Sequence, residues 1–175
     1  PFRHYHIKMS ETKHTFLVPE ELEKLENLEL TGRHTRLAPS LDAFLFCCYT
    51  GLRYSDFVNL SEKNIVTIDK KPWLVFNTIK TGTEVKLPLT FLFEGKAWKL
   101  LRKHKGHLSE FFSIKPNSTV NKELLRIRKI AGLEKHFSFH SARHTNATLL
   151  LYKGANITTV QKLLGHRNVT TTQIY

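Results

Sequence analysis

The sequence predicts an α+β domain, mainly α-helical, with one small antiparallel sheet of three strands. Three observations predict it. Apolar residues recur at helical spacing in both halves of the chain, as in Leu41, Phe44, Leu45 and Cys48. Between residues 64 and 88 the period drops to two, and turn residues separate three short runs. The 175 residues suit one domain, which buries roughly 70% of its unfolded surface on folding.

Residues 1–15 are polar, His-rich and without period, and the chain starts at Pro. They read as a linker from a missing upstream domain, with the domain proper over 16–175. Pro19 followed by EELEKLENLEL predicts a helix with proline in its first turn and early glutamates that suit the helix dipole. Residues 39–50 predict a strongly apolar helix closed by Gly51, and Tyr54 to Leu60 a short further turn. Asn64–Ile68 alternates, Asp69–Pro72 breaks the run, Trp73–Phe76 resumes it, and Glu84–Pro88 follows a turn at Lys80–Thr83. Phe91–His104 is amphipathic, and 105–119 reads as a loop. Ser118 or Thr119 is placed to cap the next helix, which Gly132 ends. That helix carries an apolar stripe of Val120, Leu124, Ile127 and Ala131 and a basic stripe of Lys122, Arg126 and Lys129. Ser138 precedes a helix to about Lys153. Asn156 caps another that closes at Gly165, and a last turn starts at Thr170.

The net charge is +12, and its position says more than its size. Residues 1–95 hold 12 basic and 12 acidic side chains, whereas 96–175 hold 15 basic and 3 acidic. A globular half so unbalanced is expected to face a polyanion, nucleic acid above all, with Lys122, Arg126 and Lys129 as candidate contacts. The alternative is a merely solvated basic surface. No apolar run reaches the ~18 residues of a membrane span, and no secretory signal is visible. Cys47 and Cys48 are adjacent, with no further cysteine to pair with. They read as small buried hydrophobes of a cytoplasmic protein.

Three segments could carry chemistry: TGLRYSD (50–56), HSARH (140–144) and LGHRNVTTTQIY (164–175). Taken singly, each has a structural reading. Arg53 lies just beyond a helix end, where arginine binds free carbonyls; His140 and Arg143 share a helix face; and Tyr175 could be a core aromatic. His140 and His144 have the spacing of a helical zinc pair. Ser141, however, stands where a zinc hydrolase places its glutamate base, so no metal is expected. Together the residues suit a phosphodiester. Two arginines and two histidines can neutralise charge on the non-bridging oxygens, a tyrosine can act as nucleophile, and a lysine can protonate the leaving oxygen.

With these residues in order, the chain resembles the catalytic domain of the tyrosine recombinases, or phage-integrase family, over about residues 16–175. The pattern falls on Arg53 in TGLR, Lys80 in the hairpin, His140 and Arg143 in H-x-x-R, His166 in LGH, and Tyr175 nine residues on. TGLRYSD and the KTG hairpin resemble integrases of Bacteroides-type mobile elements. The resemblance implies that Tyr175 attacks the scissile phosphate to form a 3′-phosphotyrosyl link and free a 5′ hydroxyl. Arg53 and Arg143 would bind phosphate oxygens, Lys80 act as general acid, His140 as general base or relay, and His166 donate to phosphate. Asp56 would orient the basic residues. Lys86 on the next strand competes with Lys80 for the lysine position, and KTG at a turn favours Lys80. No cofactor, metal or ATP is implied.

The implied partners are double-stranded DNA at specific attachment sites and other recombinase subunits, a tetramer on DNA for the full-length protein and a monomer for this fragment. The implied function is to integrate or excise a mobile element, at the bacterial nucleoid. Measured against the family pattern, the resemblance implies an isolated catalytic domain, truncated at the nucleophile, without the upstream DNA-clamping domain or the C-terminal helix. Two other readings stay open: a non-catalytic DNA-binding module of the same fold, and a type IB topoisomerase-like nicking-closing enzyme.

Overall fold

The computed structural model describes residues 15–175. The expected linker over 1–15 therefore lies, except for Thr15, outside the described residues. The chain folds as eight α-helices and a three-stranded sheet among those residues. Helix α1 spans Pro19–Glu26, with proline at its start. It is shorter than the apolar spacing to Leu30 predicts. Helix α2, Ala38–Thr50, is the axis of the molecule, and every residue from Ser40 to Thr50 is buried. A helix that is apolar on nearly all sides is stable only when surrounded. Around α2 stand α7 (Ser141–Tyr152), α4 (Lys96–Lys103), α6 (Asn117–Ile130), α5 (Leu108–Phe112) and α1. Gly51 ends α2 in the left-handed conformation, φ 72°, and α3 (Tyr54–Phe57) follows at once.

The sheet is antiparallel in the order β1 (Ile65–Ile68), β2 (Lys71–Asn77), β3 (Glu84–Pro88). Leu74 faces Leu87 and Phe76 faces Val85, all four buried, which fixes the register by the alternation seen in the sequence. The first turn is tighter than the expected break over Asp69–Pro72. Ile68 pairs with Lys71, so Asp69 and Lys70 alone make the turn, both at positive φ, and Pro72 lies inside β2.

Three further expectations are corrected. Phe91–His104 is not one helix: a short 3-10 segment, Leu92–Gly95, precedes α4, with Phe93 and Glu94 left-handed inside that segment. The expected loop 105–119 contains α5. Helix α6 begins at Asn117, so Ser118 and Thr119 lie in its first turn rather than at its cap. The last helix, α8 (Ile157–Leu164), is capped as expected: Thr159 N–H donates to the Asn156 side chain and Gly165 closes the other end. Cys47 and Cys48 are buried free thiols, pushed up in pKa first by burial.

Candidate active site

The ends of α2 and α8 meet at one point on α7. A Cβ on Gly51 would lie 2.5 Å from a Leu164 methyl and 2.8 Å from Asn146 Oδ1, so only glycine permits that approach. Arg143, buried on α7, fastens the junction. Its Nη1 donates to Gly51 O at 2.7 Å and its Nη2 to Leu164 O at 2.8 Å. These carbonyls belong to helix ends that no intrahelical donor reaches, so one guanidinium fork closes two helices.

Two residues after Gly51, Arg53 sits at the N-cap of α3. Its Nη1 is buried, lies 3.8 Å from Asp56 Oδ2, and makes no hydrogen bond among the described residues. Asp56 is also buried, and its Oδ1 accepts from Ile79 N–H at 2.9 Å. That bond ties the β2–β3 turn to Arg53. On its other side the turn is tied to α8, because Thr81 Oγ1 donates to Gly165 O at 3.2 Å and Arg167 donates to Thr81 O. Gly165 is needed here as well: a Cβ would come within 2.7 Å of Val85 and 2.9 Å of Thr78. Lys80 stands between Ile79 and Thr81, exposed, and ion-pairs with no carboxylate among the described residues. Lys86 is exposed too, but it pairs with Glu84 at 2.9 Å.

His166 and Tyr175 complete the cluster. The rings of His166 and Tyr175 lie nearly parallel, 8° apart, with centroids 6.4 Å apart. His144 lies against the Tyr175 ring at 5.2 Å, tilted by 54°, and His140 meets His144 edge-on at 4.7 Å. The Arg143 and Arg53 cations both act on the Tyr175 phenol. His166 Nδ1 is 2.9 Å from Thr172 Oγ1, and both residues are buried. His144 and Thr172 were assigned no part in the chemistry of phosphate. The i, i+4 spacing from His140 was the available signal for His144. Thr172 is one of three consecutive threonines, and nothing local distinguishes it.

Arg53, Asp56, His140, Arg143, His166 and Tyr175 are thus brought together, with Lys80 carried on a turn fixed at both ends. Lys122, Arg126 and Lys129 are exposed on α6, while the opposite stripe of Val120, Leu124 and Ile127 is fully buried. Glu123, one of the few acids in the second half, is buried and accepts from Ser40 and Lys115. Its charge and that of Lys115 cancel each other, which leaves the net excess of the second half unchanged. Among the described residues no group of three or more His, Cys, Asp or Glu could hold a metal ion, and no helix is long and apolar enough to cross a membrane.

The charges act on one another. Burial, and then the neighbouring Arg53 cation, lowers the Arg143 pKa to about 10, which leaves it charged at neutral pH. Burial pushes the Tyr175 phenol up despite the pull of Arg143 and Arg53, so it is protonated and needs a base to act as a nucleophile. Burial, with Arg143 and Arg53, lowers His166 to about 4, so its imidazole is neutral. Because the unfolded imidazole titrates near 6.5, the unfolded chain binds the extra proton between that pH and 4. Stability from His166 is complete above about pH 6.5 and is lost as the pH falls towards 4, by at most about 3 kcal/mol. Thermal melts from pH 7 to 4 are expected to show a shallower acid decline for His166→Gln than for the wild type. Parallel declines would refute the neutral assignment.

A profile of the phage integrase family matches residues 15–175. Among curated proteins, the tyrosine recombinase of Pseudothermotoga lettingae is 33% identical over 166 residues, 91% of this chain and 55% of its own length. Tyrosine recombinase XerC of Oceanobacillus iheyensis is 34% identical, across 100% of this chain and 61% of its own length. The chain therefore spans little more than half the length of these relatives. In structure it is similar to the XerH site-specific recombinase bound to palindromic difH substrate in a post-cleavage complex. That match has a TM-score of 0.68 and 25% identity, and covers 93% of this chain and 49% of the other. It shares its fold with a lambda integrase dimer bound to a core site, at a TM-score of 0.69 and 23% identity over 93% of this chain and 61% of that one.

Proposed function

The chain belongs to the phage integrase family, and on that premise we propose that it cleaves and rejoins double-stranded DNA at specific attachment sites through a covalent phosphotyrosine. The observation that carries this reading is the seating of the Tyr175 ring beside His166, where its phenol feels the Arg143 and Arg53 cations, next to a buried Arg53 nitrogen that has no hydrogen-bond partner among the described residues. The buried Arg143 guanidinium and the half-buried Arg53 guanidinium repel each other, and an anion placed between them relieves that cost. A phosphodiester supplies it.

In the reaction, Tyr175 Oη attacks the scissile phosphorus and its proton passes to His140. A tyrosine–phosphorus bond forms at the 3′ side, and the bond to the 5′ oxygen breaks. Lys80 protonates that oxygen, leaving a free 5′ hydroxyl. Arg53, Arg143 and His166 stabilise the charge on the non-bridging oxygens. Asp56 orients Arg53 and the turn that carries Lys80. The 5′ hydroxyl of a second DNA end then reverses the attack, so the bond energy is kept and no ATP is consumed. The biological context we assign is integration or excision of a mobile element at the nucleoid, by a tetramer of full-length subunits on DNA.

The deciding experiment incubates the chain with nicked duplexes that span the junctions flanking its coding element. An SDS-stable protein–DNA adduct is expected, and its absence would favour a non-catalytic binding module. Relaxation of supercoiled DNA with no recombinant product would favour a nicking-closing enzyme. The basic stripe on α6 has its own test. Each phosphate contact adds about 0.9 to the slope of log affinity against log salt. Replacing Lys122, Arg126 and Lys129 by Gln is expected to lower that slope by up to about 3, measured by fluorescence anisotropy on a random duplex. An unchanged slope would remove the stripe from the DNA surface.

A further inference from the structure

The bond between His166 and Thr172 permits two proton arrangements, and the surroundings distinguish them. Thr172 is wholly buried, and its Oγ1 makes no hydrogen bond among the described residues other than that to His166 Nδ1, at 2.9 Å. If Nδ1 carried the proton and donated it, the threonine hydroxyl hydrogen would be sealed away without an acceptor. If the hydroxyl donates to Nδ1, the buried hydroxyl hydrogen is used and the ring proton stands on Nε2. The backbone on either side holds the geometry. His166 N–H donates to Gln161 O at 3.0 Å, the Gln161 amide donates to His166 O at 3.1 Å, and Thr172 N–H donates to Val169 O at 2.7 Å.

We infer that Thr172 is a positioning residue: its hydroxyl donates to His166 Nδ1, fixes the imidazole as the tautomer protonated on Nε2, and latches the segment bearing Tyr175 onto His166. A neutral imidazole can donate to a phosphate oxygen only from the nitrogen that keeps its proton, and this bond makes that nitrogen Nε2. The ring stacks on Tyr175, and burial together with the Arg143 and Arg53 cations keeps it neutral. The latch reaches the nucleophile through the chain, since Tyr175 N–H donates to Thr172 O at 3.3 Å. One hydroxyl thereby links the tautomer of the phosphate donor to the seating of the attacking tyrosine. Undocking of the segment removes both together.

The role assigned to Nε2 rests on the DNA-cleavage reading, but the tautomer can be measured without DNA. The test uses the chain labelled with 15N-histidine, with the His166 signals identified by their loss in His166→Gln. Two-bond nitrogen–proton couplings then report the tautomer in the wild type, Thr172→Ser and Thr172→Val. Wild type and Thr172→Ser are expected to show neutral His166 protonated on Nε2, and Thr172→Val a mixture of tautomers. Covalent capture of nicked DNA should fall about 10- to 100-fold in Thr172→Val and recover in Thr172→Ser. A wild-type His166 protonated on Nδ1 overturns the proposal whatever the variants do. So does a Thr172→Val protein with unchanged tautomer and unchanged capture. If the wild type shows the expected tautomer yet never captures DNA, the cleavage reading fails and the hydrogen-bond assignment stands.

Discussion

Tyr175→Phe is expected to abolish covalent capture of DNA while leaving fold and DNA affinity close to the wild type. The ring does most of the packing: it lies against the core, beside His166 and His144. Phenylalanine keeps those contacts and removes only the hydroxyl. Arg143 keeps its bonds to Gly51 O and Leu164 O, so its charge stays held in place. The stability change is expected to be within about 1.5 kcal/mol, the net worth of one hydrogen bond. The chemical change is categorical, because phenylalanine has no hydroxyl with which to attack phosphorus, and the neighbouring Tyr54 hydroxyl is engaged with Lys115 O at 2.9 Å. Adduct yield on a nicked duplex should fall by at least about a thousandfold, with anisotropy and melting temperature nearly unchanged. An adduct formed by Tyr175→Phe at the wild-type rate would show that another residue attacks the phosphate.

What could be read in advance follows from the range of each interaction. Helix α2 was legible because burial on nearly every side leaves a dense apolar run, and Gly51 because a left-handed helix end needs glycine there. The strands were legible because one buried face imposes alternation. Helix α5 was not. Five residues are too few to form a helix alone, and Leu108–Phe112 is helical because Phe111 and Phe112 pack edge-on against Phe46, with Phe57 alongside. In the candidate site, Arg53, Arg143, His166 and Tyr175 stood out as residue types in a known order. Their supports did not. That Arg143 spends two donors on backbone carbonyls, or that Thr172 rather than Thr170 or Thr171 reaches His166, depends on tertiary distances that no local pattern encodes.

The two arginines, alike in expected chemistry, are expected to separate in stability. Arg143→Ala deletes the donors of two buried carbonyls, Gly51 O and Leu164 O, where α2 and α8 meet. Each carbonyl left without a partner costs about 1–3 kcal/mol, so a combined loss of roughly 2–6 kcal/mol is expected. Arg143→Lys cannot span both carbonyls and should recover only part of it. Arg53→Ala removes a side chain whose Nη1 bonds to nothing among the described residues and whose charge depresses that of Arg143. Its loss also withdraws a cation 3.8 Å from Asp56. The repulsion relieved and the attraction lost are opposed, and the net change should stay within about 1 kcal/mol. Both substitutions should lower the rate of adduct formation by about 10²–10³, the usual cost of removing one donor to a developing anion. Urea melts set beside single-turnover capture separate the two effects. If Arg53→Ala destabilises the fold as much as Arg143→Ala, the unbonded Arg53 nitrogen is a structural support, and the claim that it waits for phosphate fails.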